Sequence, residues 1–136
     1  MAERARARFA TAGLAQRAQA IGGNFLSDPL PTGFDIVTLV RVIHDHDEER
    51  ALTILRAIHA ALPPGGTLLL AEPMAGTPGA EAMGDAYFGF YLLAMGRGRA
   101  RTAEQLSALL MQAGFRSIRP VSTRIPLQVR MLVATR

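Results

Sequence analysis

The chain has 136 residues, a size typical of one compact domain, and a hydrophobic fraction of 49% that is sufficient for a core. Its net charge of +4 comes from fifteen arginines spread without a basic block, so we expect mostly solvated charges and no nucleic-acid partner. The absence of cysteine excludes disulfides and thiolate zinc sites, and no apolar run reaches the ~20 residues of a membrane span. We expect a cytoplasmic protein, with peripheral membrane contact left open.

The first third of the chain contains one strong strand signal. Residues 3–20 are rich in alanine and arginine and predict an exposed amphipathic helix. A short strand is expected at Ala20–Gly23, followed by a loop over residues 27–33 that contains two prolines. The run Phe34–Val42 is nearly continuously apolar, which is typical of a strand buried on both faces.

The middle of the chain predicts a strand–helix–strand unit. Apolar residues recur at helical spacing from Ala51 to Leu62, and Asp47 is the expected N-cap of this helix. Prolines and glycines at 63–66 end it, and Thr67–Ala71 predicts a second buried strand. Such a unit indicates a parallel sheet with a helical crossover.

The last third of the chain adds two helices and two strands to one α/β domain. After a loop at 73–80, a helix is predicted at 81–95, and a second helix capped by Thr102 runs to Ala113. Phe115–Val121 and Val129–Ala134 predict an antiparallel strand pair.

Polar residues collect where the predicted strands end, which is where open α/β sheets bind ligands. Asn24 and Phe25 follow the first strand, residues 44–47 (His-Asp-His-Asp) follow the second, and Glu72 follows the third. A histidine there could act as a general base, and a carboxylate could orient it.

Each of these residues also has a structural interpretation. A metal site at His44 and His46 lacks further ligands at a suitable spacing, so no metal is expected. His46 could be an ordinary loop residue. The sole role of Asp45 and Asp47 could be to cap the next helix, and that of Glu72 could be to hydrogen-bond the backbone at the end of its strand.

The helix predicted at 81–95 is apolar around nearly its whole circumference. Four of the eight aromatic residues fall within five positions, at Tyr87, Phe88, Phe90 and Tyr91. A helix packed on a sheet needs one apolar face, so the excess indicates a second contact, such as a pocket for an apolar substrate.

These motifs together resemble the C-terminal half of the S-adenosylmethionine-dependent O-methyltransferases. The matching stretches are residues 22–25 (GGNF), 34–35 (FD), 41–52 (RVIHDHDEERAL), 62–66 (LPPGG), 71–73 (AEP), 101–106 (RTAEQL) and 113–115 (AGF). The resemblance implies a Rossmann-like sheet that is mostly parallel with a final antiparallel strand. It covers the later strands of the family's order 3-2-1-4-5-7-6. Residues 1–136 would therefore be the C-terminal portion of a catalytic domain, and this sequence lacks the family's first two strands, glycine-rich cofactor loop and N-terminal dimerisation domain.

A closer similarity, to the carotenoid methyltransferases of purple photosynthetic bacteria, lies in residues 84–91 (GDAYFGFY) and 94–99 (AMGRGR). It implies methyl transfer from S-adenosyl-L-methionine to the hydroxyl of a lipophilic small molecule, a hydroxylated carotenoid, by an enzyme that is a homodimer when full length. The alternatives are an O-methyltransferase of an aromatic polyketide or phenol, and a non-catalytic methyltransferase-like interaction module.

The resemblance also implies roles for individual residues. His44 matches the general base and Glu72 the carboxylate that orients it, although the choice between His44 and His46 stays open. The expected cofactor-binding residues are Asn24, Phe25 and Arg41. The expected substrate-binding residues are Asp45, Met83, Tyr87, Phe88 and Tyr91.

Three positions depart from the family's pattern. Asn24 replaces an acidic residue, His46 stands where tryptophan is common, and Ala100 lies where plant members carry a second orienting carboxylate. With no glycine-rich loop in this sequence, we expect the isolated chain to bind the cofactor weakly or not at all.

Overall fold

The computed structural model describes residues 1–125 and 128–136, with the side chains of residues 83–85 left out. Four strands form one mixed sheet: β1 (Ile36–Val40), β2 (Thr67–Glu72), β3 (Arg116–Val121) and β4 (Arg130–Thr135). Four α-helices accompany them: α1 (Ala2–Thr11), α2 (Glu48–Ala61), α3 (Phe88–Met95) and α4 (Ala103–Gln112). A 3-10 turn occupies Ile43–Asp45, and a π-helical turn, Ala82–Tyr87, leads directly into α3.

The sheet has the strand order β1-β2-β4-β3. β1 and β2 are parallel, whereas β4 runs antiparallel to both β2 and β3. β1, β2 and β3 therefore point one way and β4 points the other way. The order β1-β2-β4-β3 corresponds to the strands 4-5-7-6 of the order that the resemblance implied. The predicted fold class is confirmed.

The core lies between the sheet and the helices α2 and α4, which pack against each other. It consists of buried aliphatic residues: Leu55, Ile58 and Leu62 from α2 and the residue after it, Leu68 and Leu70 from β2, and Leu106 and Leu110 from α4. The helix caps follow the sequence. Asp47 accepts a hydrogen bond from the Arg50 amide, and Thr102 and Gln105 form a reciprocal capping box at the start of α4.

The N-terminal expectations are wrong in two places. The predicted helix over 3–20 ends at Thr11, because Gly13 takes a left-handed conformation with φ of 69°. No strand forms at Ala20–Gly23 among the described residues. A strand forms only where a neighbouring strand satisfies its backbone hydrogen bonds. In the described part of the chain, β1 is the edge of the sheet and pairs with β2 alone.

β1 was expected to be buried on both faces, and this is also wrong. Ile36, Thr38 and Val40 are exposed, and the alternate residues Val37 and Leu39 are half-buried. One face of β1 therefore packs on the core while the other remains open. β2 is the buried central strand, as predicted for residues 67–71, and it continues one residue further to Glu72.

Candidate active site

The sheet register brings the ends of β1 and β2 together. Val40 pairs with Ala71, so Glu72 lies beside the chain that leaves β1. Arg41 takes a left-handed conformation with φ of 54°, which is strained for a residue other than glycine, and its amide donates to the Ala71 carbonyl. The backbone then turns sharply through residues 42–46, hereafter the His44 turn.

Glu72 binds the His44 turn through both of its carboxylate oxygens. Oε1 accepts hydrogen bonds from the backbone amides of Val42 at 2.9 Å and Ile43 at 2.8 Å. Oε2 lies 2.7 Å from Nδ1 of His44. The Glu72 side chain is almost fully buried, so its contacts with Ile43 and His44 are shielded from water, while the contact with Val42 is partly buried. An ionised carboxylate can only accept hydrogen bonds, which assigns the proton of a neutral His44 ring to Nδ1.

Nε2 of His44 is therefore the nitrogen with the free lone pair. It faces Oδ1 of Asp45 at 3.3 Å, close enough for an ion pair when the ring is protonated. The angles do not make this contact a hydrogen bond, and Asp45 Oδ1 is buried without a hydrogen-bond partner among the described residues. The geometry allows His44 to take a proton at Nε2 and then share the resulting positive charge with two carboxylates.

Aromatic side chains from the π-helical turn and α3 cover the imidazole. Phe88 is buried and meets the His44 ring edge-on at 5.8 Å between centroids, and Tyr91 lies at 6.4 Å. Tyr87 packs on Phe88 and is largely exposed. The Arg41 guanidinium lies over the Phe88 ring, 5.6 Å from its centroid. Of the residues expected to bind substrate, Phe88, Tyr91 and Asp45 surround His44, while the side chain of Met83 lies outside the described residues.

The residues expected to bind cofactor fall into two groups. Arg41 joins the aromatic cluster described above, whereas Phe25 meets the His46 ring edge-on at 5.8 Å. Asn24 uses its side-chain oxygen to accept from the Leu26 amide, and its own amide donates to Asp28 at 2.8 Å. These hydrogen bonds make Asn24 the organiser of a local turn.

His46 is separated from Glu72 and has a different environment. Its Nδ1 is buried without a hydrogen-bond partner in the described part of the chain. Burial lowers the pKa of His46 below its ordinary value, and the charges of Arg50 and Arg97 act in the same direction. The carboxylates of Asp45 and Asp47 oppose this shift.

Two charged residues near the site were not identified from the sequence. Asp28 is exposed, and its pKa is lowered by hydrogen bonds from the Asn24 amide and the Ser27 hydroxyl. It places a carboxylate at the turn where an acidic residue was expected at position 24. Arg101 is buried and donates to backbone carbonyls of the His44 turn. Arg101 begins the stretch 101–106 that resembles the family, but the sequence alone assigned no role to its side chain.

Comparison with known proteins identifies the family. An O-methyltransferase domain model matches residues 1–116. The chain belongs to the O-methyltransferase family. The demethylspheroidene O-methyltransferase of Rhodobacter capsulatus is 43% identical over 109 residues, which cover 76% of this chain and 28% of that protein. Aclacinomycin 10-hydroxylase of Streptomyces purpurascens is 40% identical over 120 residues, covering 83% of this chain and 30% of that protein.

Solved structures of this family share the fold. An O-methyltransferase from neocarzinostatin biosynthesis, in complex with S-adenosylmethionine and 2-hydroxy-5-methyl naphthoic acid, superimposes with a TM-score of 0.77 at 34% identity. The match covers 98% of this chain and 38% of that one. Mitomycin 7-O-methyltransferase gives a TM-score of 0.83 at 28% identity, covering 99% and 39%. The chain spans about a third of the length of the relatives that it matches.

The structure also bears on membrane spans and metal sites. No helix in the described part of the chain is both long and apolar enough to cross a membrane. Among residues 1–82, 86–125 and 128–136, no three histidine, aspartate or glutamate side chains group closely enough to hold a metal ion.

Proposed function

We propose that residues 1–136 form the acceptor-activating, C-terminal portion of the catalytic domain of an S-adenosylmethionine-dependent O-methyltransferase. The observation that carries this proposal is the buried contact of 2.7 Å between His44 Nδ1 and Glu72 Oε2. It leaves Nε2 of His44 free to accept the proton of a hydroxyl group, and it holds the ring in the tautomer that a base requires. Among the described side chains, His46 has no comparable carboxylate partner, so we assign the base to His44.

The residues present fit one end of a bound S-adenosylmethionine. Phe25 presents a partly exposed ring beside His46, and the orphaned Nδ1 of His46 is available to hydrogen-bond an adenine amino group. Asn24 completes the set of residues that we assign to this side, whereas Arg41, the third residue that the resemblance assigns to the cofactor, has its guanidinium over the Phe88 ring. When bound, the cofactor would supply the electrophilic methyl group. This sequence contains no glycine-rich loop for the methionine end of the cofactor.

For the acceptor, we propose a hydroxyl group on a lipophilic molecule, a hydroxylated carotenoid. The 43% identity to a demethylspheroidene O-methyltransferase supports this choice, as do the aromatic rings that cover His44. A tertiary alcohol is a weak acid, so positioning of the oxygen would contribute alongside the base.

A chimera tests this proposal. The matching segment of the Rhodobacter capsulatus demethylspheroidene O-methyltransferase is replaced by the corresponding residues of this chain. Methylation of demethylspheroidene is then followed by mass spectrometry, with phenolic acceptors in parallel. We expect methylated carotenoid, and we expect His44→Gln to lower the rate by about 10²–10⁴, the usual contribution of a general base. His46→Gln is the matched comparison: it removes the proposed contact with the adenine, so we expect it to raise the KM for S-adenosylmethionine while keeping much more of kcat.

Three results would contradict parts of the proposal. Methylation of phenols but not of the carotenoid would favour the polyketide or phenol alternative. Addition of oxygen instead of a methyl group would indicate chemistry like that named for aclacinomycin 10-hydroxylase. An inactive chimera beside an active parent enzyme would favour the non-catalytic module.

A further inference from the structure

Arg101 is a buried cation that the proposed proton transfer does not use. The residue is only 3% exposed, although arginine is seldom buried without a carboxylate partner. None of the salt bridges found among the described residues includes Arg101. Burial lowers the pKa of its guanidinium, against the opposing influence of the Glu48 carboxylate, yet arginine keeps its charge at neutral pH.

The guanidinium of Arg101 is satisfied by backbone carbonyls on both sides of His44. Nη1 donates to the Ile43 carbonyl at 3.1 Å, and Nη2 donates to the His46 carbonyl at 3.0 Å. Nη1 also reaches the Arg99 carbonyl at 3.3 Å. A planar guanidinium can bridge two acceptors in this way because its donors diverge at fixed angles.

The segment before Arg101 supports the same turn from behind. The Arg99 amide donates to the His44 carbonyl at 2.8 Å. Gly98 packs so closely there that an added Cβ would lie 2.5 Å from the same carbonyl oxygen. With these contacts, the carbonyls of Ile43, His44 and His46 are all held by residues 98–101.

Arg101 is itself fixed in place by its position in the chain. It precedes the Thr102 N-cap of α4, whose capping box is complete. Its carbonyl accepts from the Ala75 amide at 3.0 Å, which ties it to the chain that follows Glu72. Arg101 therefore connects α4 and the end of β2 to the His44 turn.

The His44 turn is thus held by charges of opposite sign on its two sides. Glu72 accepts from two of its amides and from the imidazole, while Arg101 donates to two of its carbonyls. We propose that Arg101 is a positioning residue that fixes the His44 turn against Glu72, so that the imidazole keeps its proton on Nδ1 and presents Nε2. This inference rests on the proposed role of His44 as the base.

Nuclear magnetic resonance of the ¹⁵N-histidine-labelled chain tests the proposal without any ligand. In the wild-type chain we expect His44 to show one protonated and one unprotonated ring nitrogen. In Arg101→Gln, which loses the charge and the two-sided bridge, the two signals should move towards each other. Exchange of the Nδ1 proton with water should accelerate about tenfold or more, as loss of a charged hydrogen bond implies. Arg99→Gln is the matched control, because the Arg99 side chain is exposed, and it should behave as wild type.

Arg101→Lys keeps the charge but replaces the planar fork with a single ammonium, so we expect only partial restoration of the His44 signals. If Arg101→Gln fails to fold, Arg101→Lys decides by the same criterion. Wild-type His44 signals in a folded variant, together with a lowered melting temperature, would overturn the proposal and leave Arg101 a purely stabilising residue.

The chimera described above separates this inference from the proposed function. There we expect Arg101→Lys to lower kcat by about tenfold with little change in KM, since only the base would be displaced. A chimera that is inactive, while His44 tautomerism still depends on Arg101, would refute the methyltransferase proposal and leave the positioning role standing. An active chimera whose kcat is unaffected by Arg101→Lys and Arg101→Gln would refute the positioning role alone.

Discussion

Replacing Glu72 should separate its structural contribution from its effect on His44. Glu72→Ala removes the acceptor for three donors, of which the Ile43 amide and His44 Nδ1 are buried and the Val42 amide is partly buried. Each buried donor left without a partner costs ~1–3 kcal/mol, so the two together cost ~2–6 kcal/mol. Removal of a buried carboxylate offsets part of this loss, because its own desolvation is unfavourable. We expect a net loss of about 2–4 kcal/mol.

Glu72→Gln is the conservative variant, and it should lose little stability but much of the activity. Its amide oxygen can still accept from Val42 and Ile43, so we expect a stability loss of about 1–2 kcal/mol. Its amide nitrogen would then face His44 Nδ1 as a donor. That arrangement favours the tautomer of His44 with its proton on Nε2. A protonated Nε2 has no lone pair with which to accept a proton from a hydroxyl group. We therefore expect methyl transfer by the chimera to fall about 10²–10⁴-fold.

Urea unfolding of the 136-residue chain, followed by circular dichroism, measures the stability change of both variants. Exposed Glu81 provides the control, because Glu81→Ala should change stability by less than about 0.5 kcal/mol. If Glu72→Ala loses less than about 1 kcal/mol, water must satisfy the freed donors, and the reasoning from unpaired buried donors is refuted. If Glu72→Gln unfolds as easily as Glu72→Ala, the negative charge of Glu72 contributes more to stability than its volume and its neutral acceptor oxygen do.

Three further results are expected. The pKa of His46 is lowered in the folded chain, so the unfolded chain binds a proton at His46 more tightly than the folded chain does. The free energy of unfolding should therefore fall as the pH decreases below about 6.5, and should fall less in His46→Gln, as urea unfolding at several pH values would show. Gly98→Ala should lower the free energy of unfolding in urea by about 1–3 kcal/mol, because the added Cβ meets the His44 carbonyl. Gly79 also has a positive φ but open space around it, so Gly79→Ala should cost less, and equal losses would show that the positive φ alone causes the destabilisation. Calorimetric titration of the isolated chain with S-adenosylhomocysteine should show weak or undetectable binding, and micromolar affinity would contradict the expectation.

The sequence predicts those parts of the fold that depend on local pattern. Helix α2 is marked by its N-cap at Asp47 and by the Pro-Gly run after it, and β2 by a continuous apolar run. Predictions failed where the outcome depends on a neighbour distant in sequence. The strand predicted at Ala20–Gly23 has no strand beside it, and β1 carries Ile36 and Val40 on a face that nothing in the described structure covers.

The candidate site shows the same division. His44 and Glu72 could be paired in advance, because residues that end adjacent parallel strands meet at one sheet edge. Arg101 could not be identified, since an arginine before a helix N-cap has the same local pattern whether its side chain is solvated or buried. Its role depends on a separation of 58 residues between its guanidinium and the Ile43 carbonyl, which no local pattern encodes.

The groups that position His44 belong to one packed part of the structure. Among the described residues, the groups that hold His44 lie between Val42 and Arg101, in β2, at the start of α4 and in the connecting segments of one packed unit. The loop that carries Asn24 and Phe25 meets this unit through the Phe25–His46 ring contact and through Leu26 and Leu30, which pack against the core, while the side chain of Phe25 remains 44% exposed. The base should therefore keep its geometry when no cofactor is bound.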